Sequence, residues 1–110
     1  MELKYLTDTF AVTGQITVAD VSQLSAADFT TVVCNRPDGE EPGQPLSADI
    51  AAACENTGLD FYYIPMNGPN YTAADVSRLK EVLSADKGKV LGFCRTGNRS
   101  SILWNAAQGN

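Results

Sequence analysis

With 110 residues, 44% of them hydrophobic and 19% charged, the chain reads as one ordinary globular domain, residues 1–110, with room for a core and little else. A formal net charge of −5 works against nucleic acid or an anionic membrane as the main partner, and no apolar run approaches the roughly 18 residues of a membrane span. Histidine is absent, which excludes Ser-His and Cys-His couples and any histidine-held metal, so neither metal nor cofactor is expected.

Three widely spaced cysteines do not make a disulfide framework. Met1 to Tyr5 lacks a basic-then-apolar signal pattern, so the expected setting is a reducing cytoplasm where a thiolate stays available.

Tyr5-Leu6 and Phe10-Ala11-Val12 are short strand candidates around the turn-like Thr7-Asp8-Thr9. Thr17 with Asp20 has capping-box spacing, and Val18, Val21 and Leu24 recur at helical intervals, which predicts a first helix over 18–25. Thr30 to Cys34 is β-branched and apolar enough for a buried strand. Asn35 to Pro45 holds three prolines and two glycines and reads as a loop. Ser47 opens a second helix over 48–57, which Gly58 closes. Leu59 to Ile64 is expected to be a third central strand, and Pro65 to Tyr71 a second irregular loop. Thr72 with Asp75 repeats the capping pattern before a third helix with Val76, Leu79, Val82 and Leu83 on its apolar face, ended by Asp86-Lys87-Gly88. Lys89 to Phe93 forms a strand, and Ser101 to Ala107 a last helix.

Alternating strands and helices predict an α/β fold: a central, mostly parallel sheet of four or five strands flanked by helices in three layers. Ligands in such sheets sit beyond the carboxyl ends of the strands. The loops 35–45, 65–71 and 94–99 all leave such ends and are expected to meet.

Between the last strand and helix stands Cys94-Arg95-Thr96-Gly97-Asn98-Arg99-Ser100. Strand, one-glycine loop and helix start make an anion cradle of inward N–H groups, reinforced by the partial positive charge of the helix end. Such a cradle favours thiolate over thiol at Cys94. Arg99 would fork onto an oxyanion in a way lysine cannot. Arg95, Thr96, Gly97 and Asn98 complete the loop, and Asn67 stands in the neighbouring one. Arg36 either adds a second oxyanion contact or pairs with Asp38 or Glu40. Cys34 is either a resolving cysteine or a core thiol, and Cys54 is packing.

The Cys94 loop resembles the active-site loop of rhodanese-type sulfurtransferases. Over nearly the whole chain, Gly14-Gln15, Cys34-Asn35-Arg36-Pro37-Asp38-Gly39-Glu40-Glu41, Ile64-Pro65 and the Cys94 loop followed by Trp104 resemble the phosphatase-like domain family of beta-lactamase-hydrolase-like proteins. The resemblance implies the fold of cysteine-dependent dual-specificity phosphatases, with Cys94, Arg99 and Ser100 as catalytic residues and the Ser100 hydroxyl donating to the Cys94 thiolate. The plain alternative for Ser100 is a hydroxyl satisfying a first-turn N–H. Some relatives are fused to a sulfur-oxidising metallohydrolase domain, which implies such a partner.

Two chemistries compete on these residues. Cysteine-dependent phosphatases resemble one another in a His-Cys pair, five residues between Cys and Arg, and an Asp acid. Here Phe93 precedes Cys94, four residues separate Cys94 from Arg99, and Ile64 to Pro69 contains no carboxylate. Asp38, Glu40, Glu41 or Asp75 would have to supply the acid, with Asp75 read first as a helix-start residue. Sulfur transfer needs none, because sulfite or a thiolate leaves as an anion. The expected reaction is therefore transfer of sulfane sulfur through a Cys94 persulfide, from a small anion such as thiosulfate or a persulfide. The alternatives are hydrolysis of a phosphate ester through phosphocysteine, and a non-catalytic anion or persulfide sensor.

Overall fold

The computed structural model describes residues 1–85 and 88–108. These form β1 (Lys4–Thr7), β2 (Phe10–Thr13), α1 (Val18–Ala26), β3 (Phe29–Cys34), α2 (Ser47–Thr57), β4 (Asp60–Tyr63), α3 (Ala73–Ala85), β5 (Lys89–Phe93) and α4 (Asn98–Gln108). Asp86-Lys87, expected to end the third helix, and Gly109-Asn110 lie outside the described residues.

The strands form one sheet in the order β1-β2-β5-β3-β4, with β1 antiparallel to β2 and every other pair parallel. Successive strand residues face opposite sides, so each central strand contributes to two cores. Ala11, Val32, Leu91 and Phe93 pack with Val21, Leu24, Ile50 and Cys54 of α1 and α2. Phe10, Val12, Val33 and Val90 pack with Leu79, Val82, Leu103 and Ala107 of α3 and α4. Two helices on each face complete the three layers. Trp104 stacks on Phe10, with ring centroids 5.9 Å apart.

One strand differs from expectation. β4 is an edge strand paired with β3 alone, rather than a central one. Its outward side is wet, and Asp60 and Tyr62 are exposed accordingly. Tyr5, Tyr62 and Tyr71 are exposed in the same way.

The helix starts follow local polar chemistry. Thr17 and Asp20 close a capping box, the Thr17 N–H donating to Asp20 Oδ2 at 2.9 Å. Thr72 and Asp75 exchange the same pair of bonds at 3.0 and 3.1 Å. α2 departs from this pattern: Ser47 lies inside the helix and a residue nine positions back caps it. Asp38 accepts from the Ser47 N–H at 2.8 Å and from its hydroxyl at 2.7 Å. The carboxylate thereby meets an orphan N–H of the first turn and the positive end of the helix.

Asp38→Ala is expected to lower stability by about 1–2 kcal/mol through loss of this cap. A urea midpoint unchanged from that of the parent protein would show that the contact contributes nothing.

Candidate active site

β5 runs between β2 and β3, so its end emerges at the middle of the sheet and delivers Cys94 beneath the loop whose Arg95, Thr96 and Asn98 border a cleft. Cys94 is 1% exposed, and its N–H donates to the Thr13 carbonyl at 3.4 Å. The chain then curls around the sulfur. Gly97 adopts φ +93°, a left-handed conformation that L side chains rarely take, and its N–H donates to Cys94 Sγ at 3.0 Å. Gly14 lies against the outside of the loop, where a Cβ would stand 2.9 Å from the Arg95 carbonyl oxygen. The Gln15 N–H donates to that same oxygen at 3.3 Å.

α4 begins at Asn98 rather than Ser101, with the Thr96 hydroxyl accepting from the Asn98 N–H at 3.3 Å. Arg99 and Ser100 are therefore first-turn residues whose backbone N–H groups have no partner inside the helix. Burial pushes the Cys94 thiol up, but the N–H groups of Ser100, Thr96, Arg99 and Gly97 favour the thiolate and bring the thiol below its ordinary value. The other two cysteines behave oppositely. Burial drives Cys34 up to about 12, and its S–H donates to the Arg36 carbonyl at 3.3 Å. Burial alone drives Cys54 up to about 11. One thiol of the three is built to ionise.

The Ser100 hydroxyl does not donate to Cys94. It is 1% exposed and donates to Asn35 Oδ1 at 2.8 Å, so the contribution of Ser100 to the sulfur is its backbone N–H. Asn35 is the residue on which three strand ends converge. Its N–H donates to the Phe93 carbonyl at 2.8 Å, and its carbonyl accepts from Met66 N–H at 3.0 Å. Its side-chain amide donates to the Ile64 carbonyl at 2.8 Å.

The arginines are paired with carboxylates. Arg99 donates from Nη1 and Nη2 to the two oxygens of Glu40, at 2.8 and 2.7 Å, and from Nη1 to the Met66 carbonyl at 2.9 Å. Arg36, 1% exposed, donates to Glu40 at 2.9 Å, to Glu41 at 2.9 Å and to Gln15 Oε1 at 3.1 Å. Of the two expectations for Arg36, ion pairing with Glu40 is the one observed. Hydrogen bonding from Arg99, supported by Arg36, holds the Glu40 carboxyl down at about 2. Glu40 is thus an anion at neutral pH and a poor proton donor. Asp38 is turned to α2 and also fails to reach the loop as an acid.

The three loops meet as expected, though through other groups. The loop after β4 reaches the site with the Met66 carbonyl, while Asn67 is exposed. Gln15 and Asn35 belong to the stretches that carry the family resemblance, but nothing in their residue type or spacing assigned them these contacts. Arg95, Thr96 and Asn98 are exposed on the rim of a cleft of about 600 Å³ that Arg36, Glu40, Glu41 and Arg99 also line. Among the described residues, no group of three His, Cys, Asp or Glu comes together to hold a metal, and no helix is long and apolar enough to cross a membrane.

The model of the family described as beta-lactamase hydrolase-like protein, phosphatase-like domain, matches residues 2–110. A beta-lactamase hydrolase-like protein of Agrobacterium fabrum is 34% identical over 104 residues, which are 94% of this chain and 24% of that protein. One from Xylella fastidiosa is 28% identical with the same shares. The chain thus spans about a quarter of the length of these curated relatives. Among solved structures, a candidate phosphatase of Neisseria meningitidis is 35% identical with a TM-score of 0.83, covering 98% of this chain and 78% of that one. Pseudomonas aeruginosa TpbA in complex with phosphotyrosine has a TM-score of 0.66 at 19% identity, over 92% of this chain and 58% of its own, and shares the fold.

Two outcomes are expected from this geometry. Iodoacetamide at neutral pH should label Cys94 well before Cys34 or Cys54, with a rate midpoint below the ordinary thiol pKa. Peptide mapping that finds equal labelling would contradict a thiolate cradle. Because the Glu40 carboxyl sits below its usual 4.5 when folded, its stabilisation is complete above that value and is lost as pH falls toward about 2. Urea unfolding across that window should show Glu40→Gln with a flatter pH dependence than the parent. An identical slope would mean the shared carboxylate contributes no linkage.

Proposed function

The chain belongs to the phosphatase-like domain family of beta-lactamase hydrolase-like proteins, and from that premise we propose that it is a cysteine-dependent hydrolase of small phosphorylated substrates. The observation that carries this reading is the Cys94 sulfur, which four backbone N–H groups favour as thiolate beside the Arg99 guanidinium. A ring of N–H donors with an arginine at its edge suits the three outer oxygens of a phosphoryl group. The Neisseria relative, a candidate phosphatase at 35% identity, supports the same chemistry.

In this mechanism the thiolate attacks phosphorus, the P–O bond to the leaving group breaks, and that oxygen departs with the electron pair. Water then cleaves the phosphocysteine, releasing phosphate and restoring the thiolate. The N–H groups are fixed by strand and helix before substrate arrives, so they stabilise the developing charge without reorganising. Arg99 is aimed by Glu40, which occupies both terminal nitrogens, while the guanidinium also acts on the Cys94 sulfur. Glu40 is a positioning residue in this scheme.

The weak point of the machinery is the leaving group. A general acid is typically worth about 10²–10⁴-fold. Glu40 is held ionised, Arg36 likewise lowers Glu41, and Asp38 is committed to α2. Substrates whose leaving group departs as a stable anion are therefore favoured over alkyl esters.

Sulfur transfer is the second reading, and the loop itself favours it: four residues lie between Cys94 and Arg99, and no acid is required. A sulfur-oxidising metallohydrolase partner belongs to that reading. The phosphatase reading ranks first because the family and the Neisseria relative point to phosphoryl chemistry.

The test is intact mass after rapid quenching with 4-nitrophenyl phosphate or with thiosulfate. The parent protein should release nitrophenolate and gain one phosphoryl group. Cys94→Ser should fold, gain nothing and turn over at background rate. A cyanide-labile gain of one sulfur from thiosulfate, with no phosphoryl adduct, would overturn the reading in favour of sulfur transfer.

A further inference from the structure

Three arginines surround the Cys94 loop, and they are not equivalent. Arg36 and Arg99 are matched by Glu40 and Glu41, so that cluster of four side chains carries no surplus charge. Arg95 is exposed and has no hydrogen-bond or ion-pair partner for its side chain among the described residues. Glu41 acts on it only through space. Its backbone is nevertheless fixed, since its carbonyl accepts from Gln15 N–H and presses against Gly14. The one unmatched cation of the loop is thus anchored beside the reactive sulfur.

Arg95 also stands where two clefts meet. Arg95, Thr96 and Asn98 line both the cleft of about 600 Å³ over Arg36 and Arg99 and a second one of about 760 Å³. The first contains the two carboxylates. The second is walled by β1, the β2 end and α4, with Lys4, Gln15 and Ser101 among its polar groups and Glu2 as its acid. A substrate whose reacting phosphoryl lies on the loop therefore has its leaving group at the Arg95 rim, with the second cleft open beyond it and the Glu40-Glu41 pair on the other side.

We propose that Arg95 is a specificity-determining residue, and that the substrate's leaving group is itself an anion bonded directly to the reacting phosphoryl, as in a phosphoanhydride, laid across Arg95 toward the cleft that holds Lys4. The inference rests on the phosphatase reading and deepens it. It answers two features of the site together. Arg95 supplies the charge that Arg36 and Arg99 no longer have to offer. A phosphate-type leaving oxygen, whose proton has a pKa near 6, departs as an anion and needs no acid. The step is balanced: the Cys94 thiolate bonds to the terminal phosphorus, the bond to the bridging oxygen breaks, and that oxygen leaves with the electron pair. Nothing is oxidised or reduced, and water later takes the phosphoryl group.

Calorimetric titration with inorganic phosphate and with pyrophosphate, on the hydrolysis-deficient Cys94→Ser protein, tests this directly. The same titrations are repeated with Arg95→Gln and with Lys80→Gln added, the latter an equal change of net charge on exposed α3. Pyrophosphate should bind more tightly than phosphate, and Arg95→Gln should reduce that preference by about three- to fivefold, the size of one exposed ion pair. Lys80→Gln should leave the preference unchanged. Phosphate binding with no preference for pyrophosphate, or a preference that survives Arg95→Gln or falls equally in Lys80→Gln, overturns the role of Arg95 while leaving the phosphatase reading in place. Failure of either anion to bind, with thiosulfate loading sulfur onto Cys94 in the parent protein, overturns the phosphatase reading and this inference with it.

Discussion

A guanidinium as deeply buried as that of Arg36 cannot stay charged in a fold unless anions come with it. Taking an ion out of water costs several kcal/mol even after relaxation, and good hydrogen-bond geometry must offset that cost. The sequence carries the answer four and five residues later. Glu40 and Glu41 fold back onto Arg36 within one loop, and Gln15 accepts from its remaining nitrogen. Glu40 has two oxygens and Arg36 uses only one, so the carboxylate also accepts the fork of Arg99. Arg99 in turn holds the Met66 carbonyl. A single carboxylate thereby ties the loop after β3 to the start of α4 and, through Arg99, to the loop after β4. Removing it would strip Arg99 of its carboxylate and leave the buried Arg36 with Glu41 as its one remaining anion among the described residues.

Asn35 performs the neutral counterpart of this task. Parallel strands end with exposed carbonyls and N–H groups, and a cleft built on such ends must satisfy them without filling itself with side chains. Asn35 does so with backbone and side chain together, joining the ends of β5, β3 and β4 to the Ser100 hydroxyl. This fixes the first turn of α4 relative to the end of β5, which sets where the N–H groups of Arg99 and Ser100 point. The depressed Cys94 pKa is therefore a property of the framework. It depends on donors whose positions are determined several residues away, which is the arrangement electrostatic preorganisation requires.

Local signals in the sequence were accurate wherever one turn or one strand decided the outcome. Both capping boxes, the five strands and the Cys94 loop could be read from residue type and spacing. What escaped was the choice of partner across the fold. Ser47 looks like a cap, but a carboxylate nine positions upstream is better placed and takes the role. The Ser100 hydroxyl has two acceptors in principle, and Asn35 wins because it is buried and already oriented by Ile64. Glu40 was a candidate acid on composition alone. Two arginines make it the opposite, a carboxyl that remains ionised. The edge position of β4 was equally hidden, because an aromatic, β-branched strand reads the same at an edge as in the middle.

These pairings also bear on the chemistry. In a cleft where the two deep arginines are matched by carboxylates, extra negative charge from a substrate meets two kinds of donor: the N–H ring around Cys94 and the exposed cation of Arg95. On the proposed reading, the ring serves the group that reacts, since its geometry is fixed and close to the sulfur. On the same reading, the exposed cation of Arg95 serves what lies beyond. A site lacking a proton donor can still turn over quickly if its substrate's leaving oxygen is stable as an anion, and such an oxygen brings charge to the place where Arg95 stands. The missing acid and the unmatched arginine are then two sides of one constraint. A site that keeps Glu40 ionised beside Arg99 gives up that carboxyl as a proton donor, and under the proposed phosphoryl chemistry it would select its substrates by the stability of what they release.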